Sequence, residues 1–251
     1  MDTSFSSAPE APSTTIVAAT GLTRVFGEGE AAVTALEDVT VSFPAGRLTA
    51  IMGPSGSGKS TLMHLLAGLD KPTAGSVVLD GVELNGLDDG KLTELRRDRV
   101  GFIFQSFNLL PVLTARENIE LPSLIAGRSG DTEWVERVID IVNIRDRLTH
   151  RPSELSGGQQ QRVAVARALA SRPAVVFADE PTGNLDSKAG RDVLDLLRRS
   201  VDEVGQTIIM VTHDAQAAAI ADRLLLLADG RIVHDGDAIS ADAILDLMKG
   251  M

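Results

Sequence analysis

The glycine-rich segment from Gly53 to Ser60 constrains the fold of this chain more than any other stretch. It reads Gly-Pro-Ser-Gly-Ser-Gly-Lys-Ser, and it lies between an apolar run, Leu48–Met52, and helix-forming sequence. A strand, such a loop and a helix in this order form a phosphate-binding loop, because backbone N–H groups and the helix N-terminus then face phosphate oxygens. The alternative, a glycine-rich turn with a solvated lysine, is disfavoured by these flanks.

The residue types in this loop predict a site for nucleotide phosphates with Mg²⁺. Lys59 places a positive charge on the β- and γ-phosphates, and the hydroxyl of Ser60 is a ligand for Mg²⁺. The glycines let the backbone turn inward around the β-phosphate. The residues predicted to bind ATP here are Gly53, Pro54, Ser55, Gly56, Ser57, Gly58, Lys59, Ser60 and Thr61.

Apolar runs alternate with helical patterns along most of the chain. This alternation predicts an α/β fold, in which helices cover both faces of a parallel sheet. The predicted strands are 16–22, 36–43, 48–52, 77–79, 100–104, 174–178, 207–211 and 223–228, and the predicted helices of this unit are 60–69, 187–203 and 214–221.

Residues 105–172 interrupt this alternation with a pattern that is almost wholly helical. Thr114 and Glu117 have the spacing of a capping box at one helix start. Asp131 can cap the next helix. We therefore expect a helical subdomain inserted into the α/β core.

Composition narrows the partners that the chain can have. Its net charge is −11 and its sequence pI is about 4.8, which disfavours electrostatic binding to nucleic acid. It has no cysteine, which excludes disulfides and thiolate metal sites. No apolar run approaches the roughly 20 residues of a membrane-spanning helix, so a role at a membrane requires a partner. Residues 1–15, rich in Ser, Thr, Ala and Pro, are predicted to be a disordered tail and not a secretory signal.

The predicted strand 174–178 leads into two carboxylates, Asp179 and Glu180. Ligands of open α/β sheets bind beyond the carboxyl ends of the strands. Asp179 is then placed to hold Mg²⁺, and Glu180 to accept a proton from the attacking water. Taken alone, such a strand end is more often merely solvated. The phosphate-binding loop upstream favours the functional interpretation.

His213 follows the predicted strand 207–211 and belongs to the same edge of the sheet. Its imidazole can bond the γ-phosphate and hold the attacking water. A lone histidine is usually structural or exposed, and that is the interpretation for the chain's other histidines, which are His64, His150 and His234.

The octet 155–162, Leu-Ser-Gly-Gly-Gln-Gln-Gln-Arg, narrows the class of nucleotidase. As local structure it is a helix start capped by Ser156. Together with the other motifs it resembles the signature of the ABC transporter nucleotide-binding subunits, and this resemblance covers residues 16–236. The motifs occur in the family's order, which is 53–60, Gln105, 155–162, 173–180, 184–186 and His213.

The resemblance implies a P-loop NTPase (RecA-like) core with an N-terminal antiparallel β-subdomain and an inserted α-helical subdomain. The ABC ATPase domain then spans 16–236, with the helical subdomain at about 105–172. Residues 237–251 form a C-terminal helical extension.

The resemblance also implies the roles of individual residues. Gln105 senses the γ-phosphate and Mg²⁺, Asp186 couples the two sites of a dimer, and Pro181 follows the catalytic glutamate. The family commonly stacks a tyrosine on adenine; this chain has no tyrosine, and Phe26 occupies the matching place. The alternative for Phe26 is a core residue of the β-subdomain. The implied catalytic residues are Glu180, His213, Lys59 and Gln105, the implied Mg²⁺ ligands are Ser60, Gln105 and Asp179, and the signature residues implied to bind ATP are Ser156, Gly157, Gly158 and Gln159.

The implied function is that of a transport ATPase. Two copies, or a pseudo-dimer, sandwich Mg·ATP head to tail and drive a separate integral membrane permease from the cytoplasmic face of the membrane. Residues 104–111 and 178–186 resemble the subgroup of macrolide exporters and lipoprotein-release ATPases, which suggests export. One alternative is a regulatory or force-transmitting ATPase paired with a membrane protein that does not transport, as in cell division. Another is a soluble ABC ATPase of DNA repair or translation.

Overall fold

A computed structural model describes residues 14–127 and 131–249. The described strands are β1 Thr15–Phe26, β2 Val33–Pro44, β3 Leu48–Met52, β4 Ala74–Leu79, β5 Val82–Glu83, β6 Val100–Phe104, β7 Val175–Asp179, β8 Ile208–Val211, β9 Arg223–Ala228 and β10 Arg231–Asp237. The described α-helices are α1 Lys59–Leu66, α2 Asp89–Arg99, α3 Ala115–Ile125, α4 Thr132–Val142, α5 Gly157–Ala170, α6 Ser187–Val204, α7 Ala215–Ala218 and α8 Ala241–Lys249. No helix among these is long and apolar enough to cross a membrane.

A six-stranded sheet with the order β10-β9-β3-β8-β7-β6 forms the centre of the fold. Its strands are parallel except for β10, which pairs antiparallel with β9 at one edge. Every residue of β3 and β8 is buried, as expected for parallel strands covered on both faces. The predicted α/β class is confirmed.

The register brings the carboxyl ends of four strands to the same level. Ile51 of β3 lies opposite Val211 of β8, and Val211 lies opposite Asp179 of β7. Asp179 in turn lies opposite Phe104 of β6. The residues that follow these strands therefore share one edge of the sheet.

A second sheet, with the order β2-β1-β4-β5, is antiparallel throughout and corresponds to the predicted β-subdomain. Its buried residues share one hydrophobic cluster with α1 and with one face of the central sheet, including Phe43, Leu62 and Phe177. Helices α3 to α7 contribute to a second cluster, which covers the other face and includes Ile119, Val165 and Leu197.

Local capping signals in the sequence are confirmed at three helices. Thr114 Oγ1 accepts a hydrogen bond from Glu117 N, and Glu117 Oε2 accepts one from Thr114 N at 2.7 Å, which completes the predicted capping box. Asp131 caps α4 by accepting from Trp134 N at 3.0 Å. Ser156 likewise caps α5.

Several predicted boundaries were wrong for identifiable reasons. The helix after the phosphate loop ends at Leu66 and not at residue 69, because Gly68 adopts a left-handed conformation with φ 65°. The helix predicted over 214–221 is only Ala215–Ala218, since Ala221 N turns back to Ala218 O at 3.1 Å. Residues 105–114 and 143–156 are loops and short 3₁₀ turns and not α-helix.

Three elements were missed, and the predicted tail lies mostly outside the described residues. Helix α2 has an apolar face too sparse to predict, although Asp88 caps it. The hairpin β9–β10 turns at Asp229-Gly230, whose positive φ angles of 47° and 74° suit an Asp-Gly turn. The short strand β5 follows the predicted Asp80-Gly81 turn. Residues 1–13 of the tail are not described, and Thr15 already belongs to β1.

Both hydrophobic clusters include fully buried side chains of the central sheet. Substitution of one of them, Phe177 of β7, tests this packing. Its ring lies 6.0 Å from that of Phe102. We expect Phe177→Ala to lower the free energy of unfolding by about 3–5 kcal/mol, because it opens a cavity in a close-packed core. Urea unfolding followed by circular dichroism measures this. Val233→Ala, at a position 55% exposed, should cost less than about 1 kcal/mol; an equal loss in both variants would contradict the assigned packing.

Candidate functional site

Hydrogen bonds fix the residues just beyond the strands at the carboxyl edge of the sheet. Thr212 N donates to Ile51 O at 3.1 Å, and Glu180 N donates to Val211 O at 2.9 Å. These bonds continue the ladder past the strands themselves. They bring the phosphate loop, the acidic pair and His213 to one edge.

The phosphate loop has the backbone conformations that its glycines permit. Gly58, with φ 99°, immediately precedes α1, and a Cβ atom there would collide with the backbone oxygen of Ala35. Gly53 also has a positive φ, and a Cβ there would collide with the backbone of Leu227. The loop is therefore closely packed against neighbouring backbone, and only glycine fits at both positions.

Lys59 is held by its own loop. Its ammonium nitrogen Nζ donates to Gly53 O at 2.9 Å and to Pro54 O at 2.8 Å. Burial lowers the pKa of Lys59 from its ordinary value, and the charges of Glu180 and Asp179 act in the opposite direction. The side chain is thus a fixed positive charge between the loop and the acidic strand end.

The two carboxylates at the end of β7 have different environments. Burial, and secondly the charge of Glu180, raise the pKa of Asp179, while His64 and Lys59 oppose this rise. Glu180 has a left-handed backbone with φ 48°, which turns the chain sharply after the strand. A non-glycine residue in this conformation is uncommon and costs free energy, and such residues cluster at functional sites.

Glu180 and His213 contact each other directly. His213 Nδ1 lies 2.8 Å from Glu180 Oε1, so a single proton joins the two groups. The His213 side chain is 72% exposed, whereas that of Glu180 is 19% exposed. The carboxylate is therefore oriented by an imidazole that remains open to a ligand.

Gln105 is oriented by a residue that sequence reasoning gave no role. Its amide Nε2 donates to Asn184 Oδ1 at 3.1 Å, and Asn184 Nδ2 donates to Gln105 O at 3.1 Å. The loop that follows contains two residues with left-handed backbone, Phe107 and Asn108. Arg167 of α5 fixes that turn, since its guanidinium donates to Phe107 O at 2.9 Å and also to Asn108 O.

The signature segment begins helix α5. Ser156 is exposed and accepts from Gln159 N at 3.3 Å, while Gln159 Oε1 accepts from Ser156 N at 2.9 Å. A Cβ atom placed on Gly157 would lie 3.4 Å from Leu185 and 3.7 Å from Phe107, and one placed on Gly158 would lie 3.0 Å from Ala189. The structure thus brings the signature beside the loop after Gln105 and the start of α6.

Asp186 caps helix α6. Its carboxylate accepts from Lys188 N and from Ala189 N, both at 2.9 Å. These backbone hydrogen bonds lower its pKa. Asp186 is exposed, and capping α6 is the role that the structure shows for it. Its role in coupling two sites across a dimer stays a prediction.

Phe26 ends β1, and 43% of the residue is exposed. The alternative interpretation as a core residue of the β-subdomain is therefore wrong. An exposed aromatic ring at the end of a strand is a surface on which a planar base can stack.

Gln161 is a buried polar residue that was not predicted. Its Nε2 donates to Pro181 O at 2.6 Å and to Phe104 O at 3.3 Å, so one amide joins α5 to the ends of β7 and β6. Helical periodicity carried the signal, because Gln161 precedes the buried Val165 and Leu169 by four and eight residues on α5.

The donor set suits Mg²⁺ bound together with phosphates. The candidate ligands are the hydroxyl of Ser60, the carboxylate of Asp179 and the amide of Gln105, all of which offer the oxygen atoms that this ion prefers. Within the described residues no group of three or more His, Cys, Asp and Glu side chains could hold a metal. One carboxylate fits an ion that takes one or two carboxylates plus substrate phosphates. Burial of Asp179 beside Glu180 also favours a cation there.

The family model of the ABC transporter matches residues 36–183 of this chain. An uncharacterised ABC transporter ATP-binding protein of Methanocaldococcus jannaschii is 44% identical over 220 residues, which are 85% of this chain and 94% of that protein. A solved dimeric ATP-binding cassette, in a post-hydrolysis state bound to ADP and phosphate, is similar with a TM-score of 0.78 and 42% identity. That match covers 89% of this chain and 99% of the other.

Longer proteins are also similar to this chain. The macrolide export ATP-binding/permease protein of Marinobacter nauticus is 49% identical over 219 residues, which are 86% of this chain and 34% of that protein. A protein with the same description from Burkholderia pseudomallei is 49% identical over 237 residues, 36% of its length. The chain thus spans 34% to 36% of the length of these relatives.

The raised pKa of Asp179 has a consequence for stability. Since the folded state holds the Asp179 proton more tightly than the unfolded state, ionisation at neutral pH destabilises the fold. We expect Asp179→Asn to unfold at a higher urea concentration than the unsubstituted chain at pH 7.5. The difference should shrink as the pH falls toward about 4, the ordinary value of the group. Asp195→Asn, on helix α6, is the matched control; a difference independent of pH would contradict the assignment.

Proposed function

Because the chain belongs to the ABC transporter family of ATP-binding proteins, we propose that it hydrolyses Mg·ATP as a head-to-tail dimer and drives a separate membrane permease. The observation that carries the hydrolytic part is the contact between Glu180 and His213 at 2.8 Å. A general base must lie within hydrogen-bond reach of the group that orients it and of the proton it accepts. Both residues lie at the edge that carries Lys59 and Asp179.

The chemistry needs positioning more than covalent catalysis. Glu180 accepts a proton from water that attacks the γ-phosphorus, and the bond from that phosphorus to the bridging oxygen of ADP breaks. Through its contact with Glu180, His213 keeps that carboxylate aimed at the water, and the exposed remainder of its ring is left to contact the γ-phosphate. Lys59 neutralises charge on the β- and γ-phosphates, and loop amides from residues 53–60 hold the β-phosphate.

Ser60, Asp179 and Gln105 would hold Mg²⁺, which when bound neutralises charge on the phosphate oxygens. The chain's own contribution is a fixed set of oxygen donors. Asn184 orients Gln105 through two hydrogen bonds of 3.1 Å. Phe26 supplies the stacking surface for adenine.

A second copy of the chain, or a close paralogue, completes each site. The start of α5 supports this, because Ser156 is exposed and the neighbours of Gly157 and Gly158 belong to 105–108 and 182–190 and not to the phosphate loop. The exposed helix start offers N–H groups to an anion approaching from outside the chain. The related cassette, solved as a dimer, has a matching fold. We propose that Asp186 couples the two sites across this dimer.

The membrane partner docks in a groove between the helical subdomain of residues 105–172 and the central sheet. A cavity of about 360 Å³ there is lined by Phe102 and Phe104 of β6, Leu121 and Ile125 of α3, and Arg167 of α5. Phe104 directly precedes Gln105. A segment of the membrane partner in this groove therefore contacts the residue next to the proposed γ-phosphate sensor. Large apolar side chains of residues 105–127 are exposed, namely Leu110, Val112, Leu124 and Ile125, and Ile125 also lines the cavity. Such exposed apolar residues mark interaction sites.

The partner places the chain on the cytoplasmic face of the membrane, and the direction of transport is outward. The relatives named as macrolide export ATP-binding/permease proteins support export. Purification with the membrane partner and measurement of ATP turnover with added substrate separate a transporter from a force-transmitting ATPase. Stimulation by a transported compound supports the first, and turnover that responds only to the partner supports the second.

Replacement of the proposed base should trap the dimer. With Glu180→Gln we expect ATP turnover to fall by roughly two to four orders of magnitude, the range that general-base catalysis contributes. The Gln side chain retains the shape and keeps a bond to His213, so ATP still binds and the ATP-bound dimer accumulates. Size-exclusion chromatography with light scattering at saturating Mg·ATP measures this. Only monomers under these conditions would contradict the dimer.

Removal of the loop ammonium tests the phosphate site separately. Lys59→Ala should lose most ATP turnover and most affinity for Mg·ATP, because the charge on the β- and γ-phosphates is no longer neutralised. Lys249→Ala, at the end of α8 and paired with Asp246, is the matched control and should keep turnover. Turnover unchanged in Lys59→Ala would reject the assigned loop.

A further inference from the structure

The ring of Phe26 carries a guanidinium on one of its faces. Arg24 Cζ lies 4.5 Å from the ring centroid, and 43% of Phe26 is nevertheless exposed. A flat ring offers two faces. The face opposite Arg24 is therefore the one available to a second planar group.

Arg24 is fixed in this position by an ion pair. Its Nη2 lies 3.0 Å from Asp70 Oδ1 and 2.9 Å from Asp70 Oδ2, and Asp70 Oδ1 also accepts from Lys71 N at 2.8 Å. The Nε of Arg24 is buried without a hydrogen-bond partner within the described part of the chain. Two contacts thus hold the guanidinium in place, which are the cation–π contact with the Phe26 ring and the ion pair with Asp70.

Hydrogen bonds also join the end of β1 to the residues that follow α1, the helix after the phosphate loop. Val25 N donates to Thr73 Oγ1 at 3.0 Å, and Thr73 N donates to Thr23 O at 2.8 Å. Asp70 and Thr73 follow α1, whose first residue is Lys59. The aromatic ring and the phosphate loop therefore belong to one connected frame, with Arg24 at its junction.

Phenylalanine at this position lacks a hydroxyl group that could fix its orientation by a hydrogen bond. A cation above one face of an aromatic ring holds the ring electrostatically and draws π-electron density toward itself. The opposite face is then a better surface for an electron-rich purine, which prefers offset stacking on a less electron-rich ring.

We propose that Arg24 is a positioning residue for the nucleotide base, which stacks on the free face of Phe26 to give a three-layer arrangement of guanidinium, phenyl ring and adenine. The proposal rests on the proposed function, which supplies ATP as the ligand. It assigns to Arg24 and Asp70 a share of the affinity for the base and none of the affinity for the phosphates.

The test compares two probes, Mg·ATP and inorganic tripolyphosphate, which has the phosphates but no base. Isothermal titration calorimetry on the full chain measures Kd for both. With Arg24→Met we expect Kd for Mg·ATP to rise roughly two- to fivefold, for which the energy of an exposed cation–π contact sets the upper bound, while Kd for tripolyphosphate stays unchanged. Arg24→Lys should restore part of the loss, and Asp70→Asn should cause a smaller loss of the same kind.

Matched variants separate this role from a general loss of structure. Arg231→Met removes another arginine that pairs with a carboxylate, Glu37, at 2.6 Å, and it should change neither Kd. In a Phe26→Leu background, Arg24→Met should have no further effect. Equal weakening of both probes by Arg24→Met, or an undiminished effect in the Phe26→Leu background, would overturn the proposal.

The outcomes for Phe26 distinguish the inference from the proposed function. If Phe26→Leu weakens binding of Mg·ATP but Arg24→Met does not, the role of Arg24 is wrong and the adenine surface stands. If Phe26→Leu leaves Kd for Mg·ATP unchanged, the base does not stack on this ring and both are wrong.

Discussion

The level register of the parallel strands is the constraint on which the rest of the site depends. Backbone bonds continue it beyond the strands, since Thr212 N reaches Ile51 O and Glu180 N reaches Val211 O. Residues more than 100 positions apart in the chain thereby meet at one edge. A shift of one strand by one residue would reverse its side chains and separate Glu180 from His213.

Two polar side chains of α5 connect the helical subdomain to the carboxyl edge of the central sheet. Gln161 reaches the carbonyls of Phe104 and Pro181 from a fully buried position, and Arg167 fixes the strained turn at Phe107. Gln161 is fully buried and Arg167 is partly buried, and hydrogen bonds in such low-dielectric surroundings are costly to break. Movement of α5 therefore has to carry with it the loop after Gln105 or the end of β7.

Most of the fold could be predicted from the sequence because its signals are local. The apolar runs of β3, β6 and β9 gave the observed bounds, and the caps at Thr114 and Asp131 depend on residues three positions apart. The short or polar elements α2, β5 and β10 were missed, because their apolar periodicity is weak and tertiary pairing decides them. Asn184 and Gln161 were missed for a similar reason. Helical periodicity places Gln161 on the buried face of α5, but the partners of both residues lie far away in sequence, so no spacing identifies those partners.

The left-handed backbone of Glu180 limits how this site can change during evolution. At φ 48° the side chains tolerated best are glycine, asparagine and aspartate, and β-branched residues are strongly disfavoured. Replacement of Glu180 is therefore tolerated best with these few residue types, of which asparagine and aspartate are polar and all keep the turn. Under the proposed function, such a replacement would remove the general base for hydrolysis and leave the phosphate loop at residues 53–60 unchanged. The backbone at one position thus limits which substitutions of the proposed base leave the turn after β7 unstrained.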